Sequence, residues 1–230
     1  MLRPYNGRVV VKESGMHAIE DYLMSRYQMY WQVYFHPVTR SSEIILRQIF
    51  RRATELFQEK YDFQFMVDPL NDLFRGDVTV EQYLQLDEAL VQTAFMQWTL
   101  EKDELLSDLC SRFIHRKLYK YVEMESLDLE TIDEIRLSFA GVGLHPGYDL
   151  EVDFPTDLPY DVFRPGEGFD SKQILLLDRQ DRLREISEVS DIVRSISGIH
   201  RGRYHLYFPQ DKLEKVLTQL PASIAELFGK

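Results

Sequence analysis

The sequence predicts a mostly helical N-terminal half, residues 1–115, followed by a small α+β region, residues 116–230, built on an antiparallel sheet, with a ferredoxin-like layout as one form of it. Three observations carry this. Apolar residues recur at helical spacing from His17 to about residue 115. Period-two alternation appears at KLYKYVEME, 117–125. Beyond it strands alternate with helices, and proline and glycine gather in PTDLPYDVFRPGEGFDSK, 155–172.

The opening residues, 1–13, read as a tail and a short extended piece, with GRVVVK (7–12) as a strand. From His17 to His36 the apolar spacing of Ile19, Tyr22, Leu23, Tyr30, Val33 and Tyr34 is helical. Pro37 marks the end of that helix, because the residue before a proline avoids the helical region. A second helix is expected from Ser41 or Ser42, both good N-caps, with Glu43 in its first turn, running through IILRQIFRRATELFQEK. YDFQFMVDPLNDLFRGD (61–77) reads as an irregular connection. TVEQYLQLDEALVQTAFMQWTL reads as one or two helices, and KDELLSDLCSRFIHR as another.

After the strand at 117–125 a helix is expected in LETIDEIRLSFAGVG and a strand in YDLEVDF. QILLLD and LREISEV form a hairpin around RQDR; DIVRSISG is a short helix, RGRYHLYF a final strand, and KLEKVLTQLPASIAELF closes with helix. No internal repeat or low-complexity tract interrupts this order.

Composition bounds the function. Hydrophobic residues are 44% and charged residues 28%, an ordinary globular balance. No apolar run approaches the ~18 residues that a bilayer span needs, and the opening MLRPYNGRVVVKESG has no signal-peptide core. A cytoplasmic location and no membrane contact are expected. The single cysteine, Cys110, can form no intrachain disulfide and no cysteine-rich zinc site. A net charge of −11 argues against general nucleic-acid binding. It leaves room for a local basic pocket, whose sign is set by its own few residues.

One stretch stands apart: SRYQMYWQVYFHP, 25–37, has five aromatic residues and a lone arginine, Arg26. Arg26, Tyr30 and Tyr34 follow at i, i+4 and i+8, on one side of a helix whose stripe reads as inward-facing. A buried guanidinium needs an anion. Spacing alone leaves two partners open: an internal carboxylate, or a snorkelling escape to water, against a ligand phosphate, which suits the planar fork. On the second reading the tyrosines supply a hydroxyl for a sugar and a flat face for a base.

SGMHAIEDYLMSRYQMYWQVYFHPVTRSSEIIL, with Ser25, Arg26, Tyr30, Tyr34 and His36 spaced S-R-x-x-x-Y-x-x-x-Y-x-H, resembles the helical region after the last metal ligand in HD-domain deoxynucleoside triphosphate triphosphohydrolases. HRKLYKYVE (115–123) resembles a second segment of that family. The likeness implies that residues 1–115 are the helical part of an HD-type hydrolase core, and 116–230 a regulatory or oligomerisation region. It implies that Arg26 contacts the substrate triphosphate, that Tyr34 packs near the sugar and that Tyr30 faces the same pocket. Lys12 and His36 are implied at an activating nucleotide site between subunits, and Arg116 and Lys120 at a regulatory nucleotide site on an oligomer interface. The implied partners are a dNTP or GTP-type nucleotide and further copies of the chain, as a dimer or tetramer. Independently, Arg116, Leu118 and Lys120 would share one face of an extended strand, a plausible phosphate patch. A solvated strand edge is the alternative.

The family's chemistry uses a metal, Mg, Mn, Fe or Zn, held by a histidine, a His-Asp pair and a later aspartate. This sequence contains no His-Asp dipeptide. The expectation is therefore a C-terminal portion of a longer hydrolase, with no metal site or catalytic residue of its own and no activity alone. The alternative is a non-catalytic nucleotide-sensing or assembly module that works with a separate HD chain.

Other features read as structural. Six carboxylates in VEMESLDLETIDE suit a helix N-terminus rather than a calcium loop. Asp149, Glu151 and Asp153 read as the wet face of a strand, GVG (141–143) as a helix stop, and Cys110 as a core thiol. RPGEGF (164–169) lacks the lysine of a phosphate loop. Of the six histidines only His200 and His205 lie close together.

Overall fold

A computed structural model describes residues 1–155, 160, 173–197 and 203–229. Its elements run β1 Leu2–Tyr5, β2 Arg8–Lys12, α1 Met16–Met29, α2 Pro37–Gln58, α3 Asp68–Arg75, α4 Val80–Tyr83, α5 Glu88–Trp98 and α6 Glu104–Ile114. They continue β3 Lys120–Met124, α7 Leu129–Gly141, β4 Glu151–Asp153, β5 Leu175–Leu177, β6 Leu183–Glu185, α8 Ile186–Val189, α9 Asp191–Ile196, β7 Tyr204–Phe208, α10 Gln210–Val216 and α11 Ala222–Phe228. The helical first half and the later small antiparallel sheet are as the sequence predicts. His200 and RPGEGF lie outside the described residues. Among the described residues, no helix is long and apolar enough to cross a membrane.

The chain forms two units, each assembled from separate stretches: Met1–His36 with Phe154–Arg203, and Pro37–Asp153 with Tyr204–Lys230.

The first unit carries a four-stranded sheet in the order β1-β2-β5-β6. β1 and β2 form a hairpin around Asn6 and Gly7, both at positive φ (48° and 75°), as a type I′ turn requires. β2 pairs parallel with β5, aligning Lys12 with Leu177. β5 and β6 pair antiparallel, closing the expected hairpin. Leu23 of α1 is buried with Val11, Leu176, Ile186, Val193 and Ile196, flanked by Met16, Ile19, Met24 and Tyr27. Sinking one such aliphatic side chain contributes about 1.5–3 kcal/mol.

The second unit is organised by α2. Ile44, Ile45, Ile49, Ala53 and Leu56 recur at helical spacing and are buried with Phe95 and Trp98 of α5 and Leu106, Leu109 and Cys110 of α6. The antiparallel sheet β3-β7-β4 alternates faces. Tyr207 points to this helical core; Leu206 and Phe208 point to a second core with Ile135 and Phe139 of α7, Leu213 of α10 and Phe228 of α11.

Four expectations change here. α2 begins at Pro37, not at Ser41 or Ser42, because proline suits a first helical position where its missing N–H is not needed. Ser41 is buried and donates to the Tyr119 carbonyl at 3.1 Å. The stretch 61–77 is not irregular throughout: α3 ends on Gly76 at φ 84°, a left-handed cap. The strand expected from residue 117 begins only at Lys120. Asp149, Glu151 and Asp153 are not a wet face: Lys212 binds Asp149, Arg47 binds Glu151, and Arg40 forks onto Asp153 at 2.9 and 2.5 Å.

Candidate functional site

α1 leaves its α-helical winding at Tyr30. Residues Tyr30–Tyr34 form a π turn, in which the Phe35 N–H donates to the Tyr30 carbonyl at 2.8 Å, five residues back. The wider turn lets Tyr30 meet two rings together: Tyr34 at 5.2 Å and Phe35 at 5.5 Å between centroids. Trp31 packs edge-on against Tyr27 and Phe35.

Arg26 lies one turn before. Its Nη2 donates to the Tyr30 hydroxyl at 3.2 Å, and its guanidinium carbon stands 5.6 Å from the Tyr30 ring centre. Hydrogen bonding to Tyr30, and then to Tyr22, favours its charged form. Tyr22, Arg26, Tyr30 and Tyr34 thus form a row at four-residue steps. Among the described residues, no carboxylate pairs with Arg26. Arginines of the second unit differ. Arg52 forks onto Asp103, and Arg112, only 2% exposed, forks onto Asp211 and reaches Asp108.

The expected inward stripe is corrected. The row of Arg26 is open: Tyr22 is 59% and Tyr34 46% exposed. Tyrosine serves equally as core and as wet surface, so its spacing misidentified the buried face. The buried face of α1 carries Leu23 and Glu20 instead. Glu20 accepts from Ser190 Oγ at 2.5 Å and pairs with His17 at 2.7 Å. Ser190, then His17, hold its carboxyl below the usual range.

The other sequence candidates fall in different places. Lys12 lines a cleft of about 680 Å³ with Glu13, Ser14, Asp178 and Arg179. His36 follows the π turn, its N–H donating to the Val33 carbonyl at 3.3 Å. Arg116 is not in a strand. It stands at φ 53° just past α6, where the Lys117 N–H returns to the Arg112 carbonyl at 2.9 Å, a Schellman cap. The shared strand face expected for Arg116 and Lys120 therefore does not exist. Arg116 lines a groove of about 670 Å³, and Lys120 a separate cleft of about 320 Å³ with Tyr121, Phe208 and Gln210. Among the described residues, no three histidine, cysteine, aspartate or glutamate side chains converge as metal ligands. The sequence reading counted Tyr22 in the apolar spacing of this helix but not as a partner of Arg26; its place four residues before Arg26 was the available signal.

Residues 1–140 match the family described as the HD-associated region, and the chain belongs to that family. It is 47% identical over 212 residues to YwfO of Bacillus subtilis, covering 92% of this chain and 49% of that protein. MJ1154 of Methanocaldococcus jannaschii is 21% identical over 215 residues, covering 91% and 41%. Among solved structures, a phosphohydrolase, BT4208, from Bacteroides thetaiotaomicron shares the fold at a TM-score of 0.71 and 23% identity, over 91% of this chain and 54% of its own. A protein from Aquifex aeolicus follows at 0.62 and 25%, over 93% and 47%. The chain spans about half the length of the curated relatives it matches.

Proposed function

We propose that this chain is the nucleotide-facing part of an HD-type deoxynucleoside triphosphate triphosphohydrolase. One observation carries the reading: Arg26 is braced by neutral phenols, so its charge remains uncancelled for an incoming triphosphate. Membership of the HD-associated family supports it. In this reading Arg26 holds phosphate oxygens, Tyr34 packs beside the sugar and Tyr30 fixes the guanidinium. Lys12, His36, Arg116 and Lys120 contact regulatory nucleotide in a homo-oligomer, with Arg116 and Lys120 acting in separate clefts. The metal of the family does not fit the described residues, so water activation falls to the HD portion that the longer relatives have room for.

The test mixes this chain with a polypeptide carrying that HD portion, in the presence of dGTP and Mn²⁺. Triphosphate release by the mixture, and none by this chain alone, is expected. Release by this chain alone, or no effect of Arg26→Ala on the mixture, contradicts the reading. The alternative is a non-catalytic nucleotide-sensing module; there nucleotide binds at Arg26 and the mixture releases nothing.

A further inference from the structure

The rings around Arg26 form a connected series that leads back to the core of the first unit. Tyr27 flanks the buried cluster of Leu23, Val11 and Ile186. Trp31 meets Tyr27 at 6.3 Å and Phe35 at 5.5 Å between centroids, both edge-on. Phe35 in turn meets Tyr30 edge-on at 5.5 Å. Each separation lies in the range where aromatic pairs attract. The Tyr30 hydroxyl then accepts from Arg26 Nη2 at 3.2 Å.

The link between Phe35 and Tyr30 exists only because of the π turn. In an α-helix five residues turn through about 500°, which leaves the first and last about 140° apart around the axis. The i→i+5 closure brings them to one side. Here the bond from the Phe35 N–H to the Tyr30 carbonyl and the ring contact join the same two residues. Core packing does not account for the arrangement. None of Tyr30–Tyr34 is buried, and Trp31 is 44% exposed, whereas the paired rings of Phe95 and Trp98 in the second unit are buried. The π turn gives up helical regularity for little burial. What it secures is the direction of the Tyr30 phenol, gripped between Tyr34 and Phe35.

We propose that Phe35 is a positioning residue of the Arg26 site: backed by Trp31, it fixes the Tyr30 phenol and, through that hydroxyl, the guanidinium that meets an incoming phosphate. The proposal rests on the triphosphate reading of Arg26 and adds to it a residue that acts through Tyr30 rather than on the ligand.

The test is a double-mutant cycle, read by calorimetric titration of dGTP into the intact chain. Phe35→Leu stays apolar and removes the ring; it should weaken dGTP binding about fivefold, with a melting temperature within about 2 °C of wild type. Tyr30→Phe, which removes the hydroxyl, should also weaken binding about fivefold. The double variant should match Tyr30→Phe within about twofold, because both changes act on one hydroxyl. Phe35→Tyr, which keeps the ring, should restore wild-type affinity. If Phe35→Leu melts lower than this, Trp31→Leu takes its place in the cycle, with the same result expected. The proposal alone is overturned if binding depends on Arg26 while the ring variants bind as wild type does. It is equally overturned if the two losses multiply to about 25-fold in the double variant, or if Phe35→Tyr fails to rescue. If the wild-type chain binds no dGTP, or Arg26→Ala binds it equally well, the Arg26 reading falls and this proposal with it.

Discussion

The Arg26 guanidinium donates to the hydroxyl of Tyr30, one helical turn onward, at 3.2 Å. That contact joins the last turn of α1 to the π turn and fixes a cation on an aromatic surface without neutralising it.

Arg26 and Arg112 should differ sharply in what they do for stability. Arg26 is half-exposed and bound to a hydroxyl, so Arg26→Ala should change unfolding free energy by less than about 1 kcal/mol. Arg112 is buried, forked onto Asp211 and bonded to Asp108, so Arg112→Ala removes a packed side chain with its charge-assisted hydrogen bonds and should cost about 2–3 kcal/mol. Urea midpoints at unchanged slope measure both.

Tyr34 should matter for ligand and not for folding. It is 46% exposed, and among the described residues its ring pairs with Tyr30 alone. Tyr34→Ala should leave the melting temperature within about 2 °C of wild type and weaken dGTP binding about tenfold. Calorimetry on the two proteins checks the pair of values.

Acid should weaken the fold through two carboxylates. Asp211 is held below its ordinary range by the hydrogen bond from Arg112, and Glu20 by those of Ser190 and His17. A depressed folded-state pKa adds stability that is complete above the unfolded-state value and is lost as pH falls through the folded one. Stability should therefore hold from pH 7 to about 5 and decline below about 4, near the ordinary carboxylate range. Asp211→Asn should be less stable at pH 7 and show a shallower decline, read from urea unfolding at each pH.

Cys110 should be inert until the chain unfolds. It is fully buried, and burial, with Glu101 nearby, pushes its thiol far above the ordinary range. An aromatic disulfide reagent should label no thiol in the native protein and one in 6 M urea.

Much of this fold was legible from spacing. The Ile44–Leu56 repeat announced α2, and the alternation around Tyr121 and Tyr207 announced the antiparallel sheet. The misreadings have physical causes. Pro37 served as a helix start because a proline is tolerated where no N–H acceptor bond is required. The β1 strand went unread although Asn6-Gly7 is a strong hairpin signal; Pro4 beside it suggests a break, and an edge strand accepts one. The triad Arg26, Tyr30 and Tyr34 was legible from its four-residue steps, but not its exposure, which depends on which face of α1 meets Val11 and Ile186. Arg116 could not be placed from sequence, since the left-handed turn that removes it from β3 leaves no period.

The central claim is that Arg26 receives a nucleotide's phosphates, and its most direct measure is titration of dGTP into the wild-type chain and into Arg26→Ala. The account predicts saturable binding by the wild type and at least tenfold weaker binding by the variant, with both proteins melting alike. Equal affinity in the two, or no binding by the wild type, would contradict it.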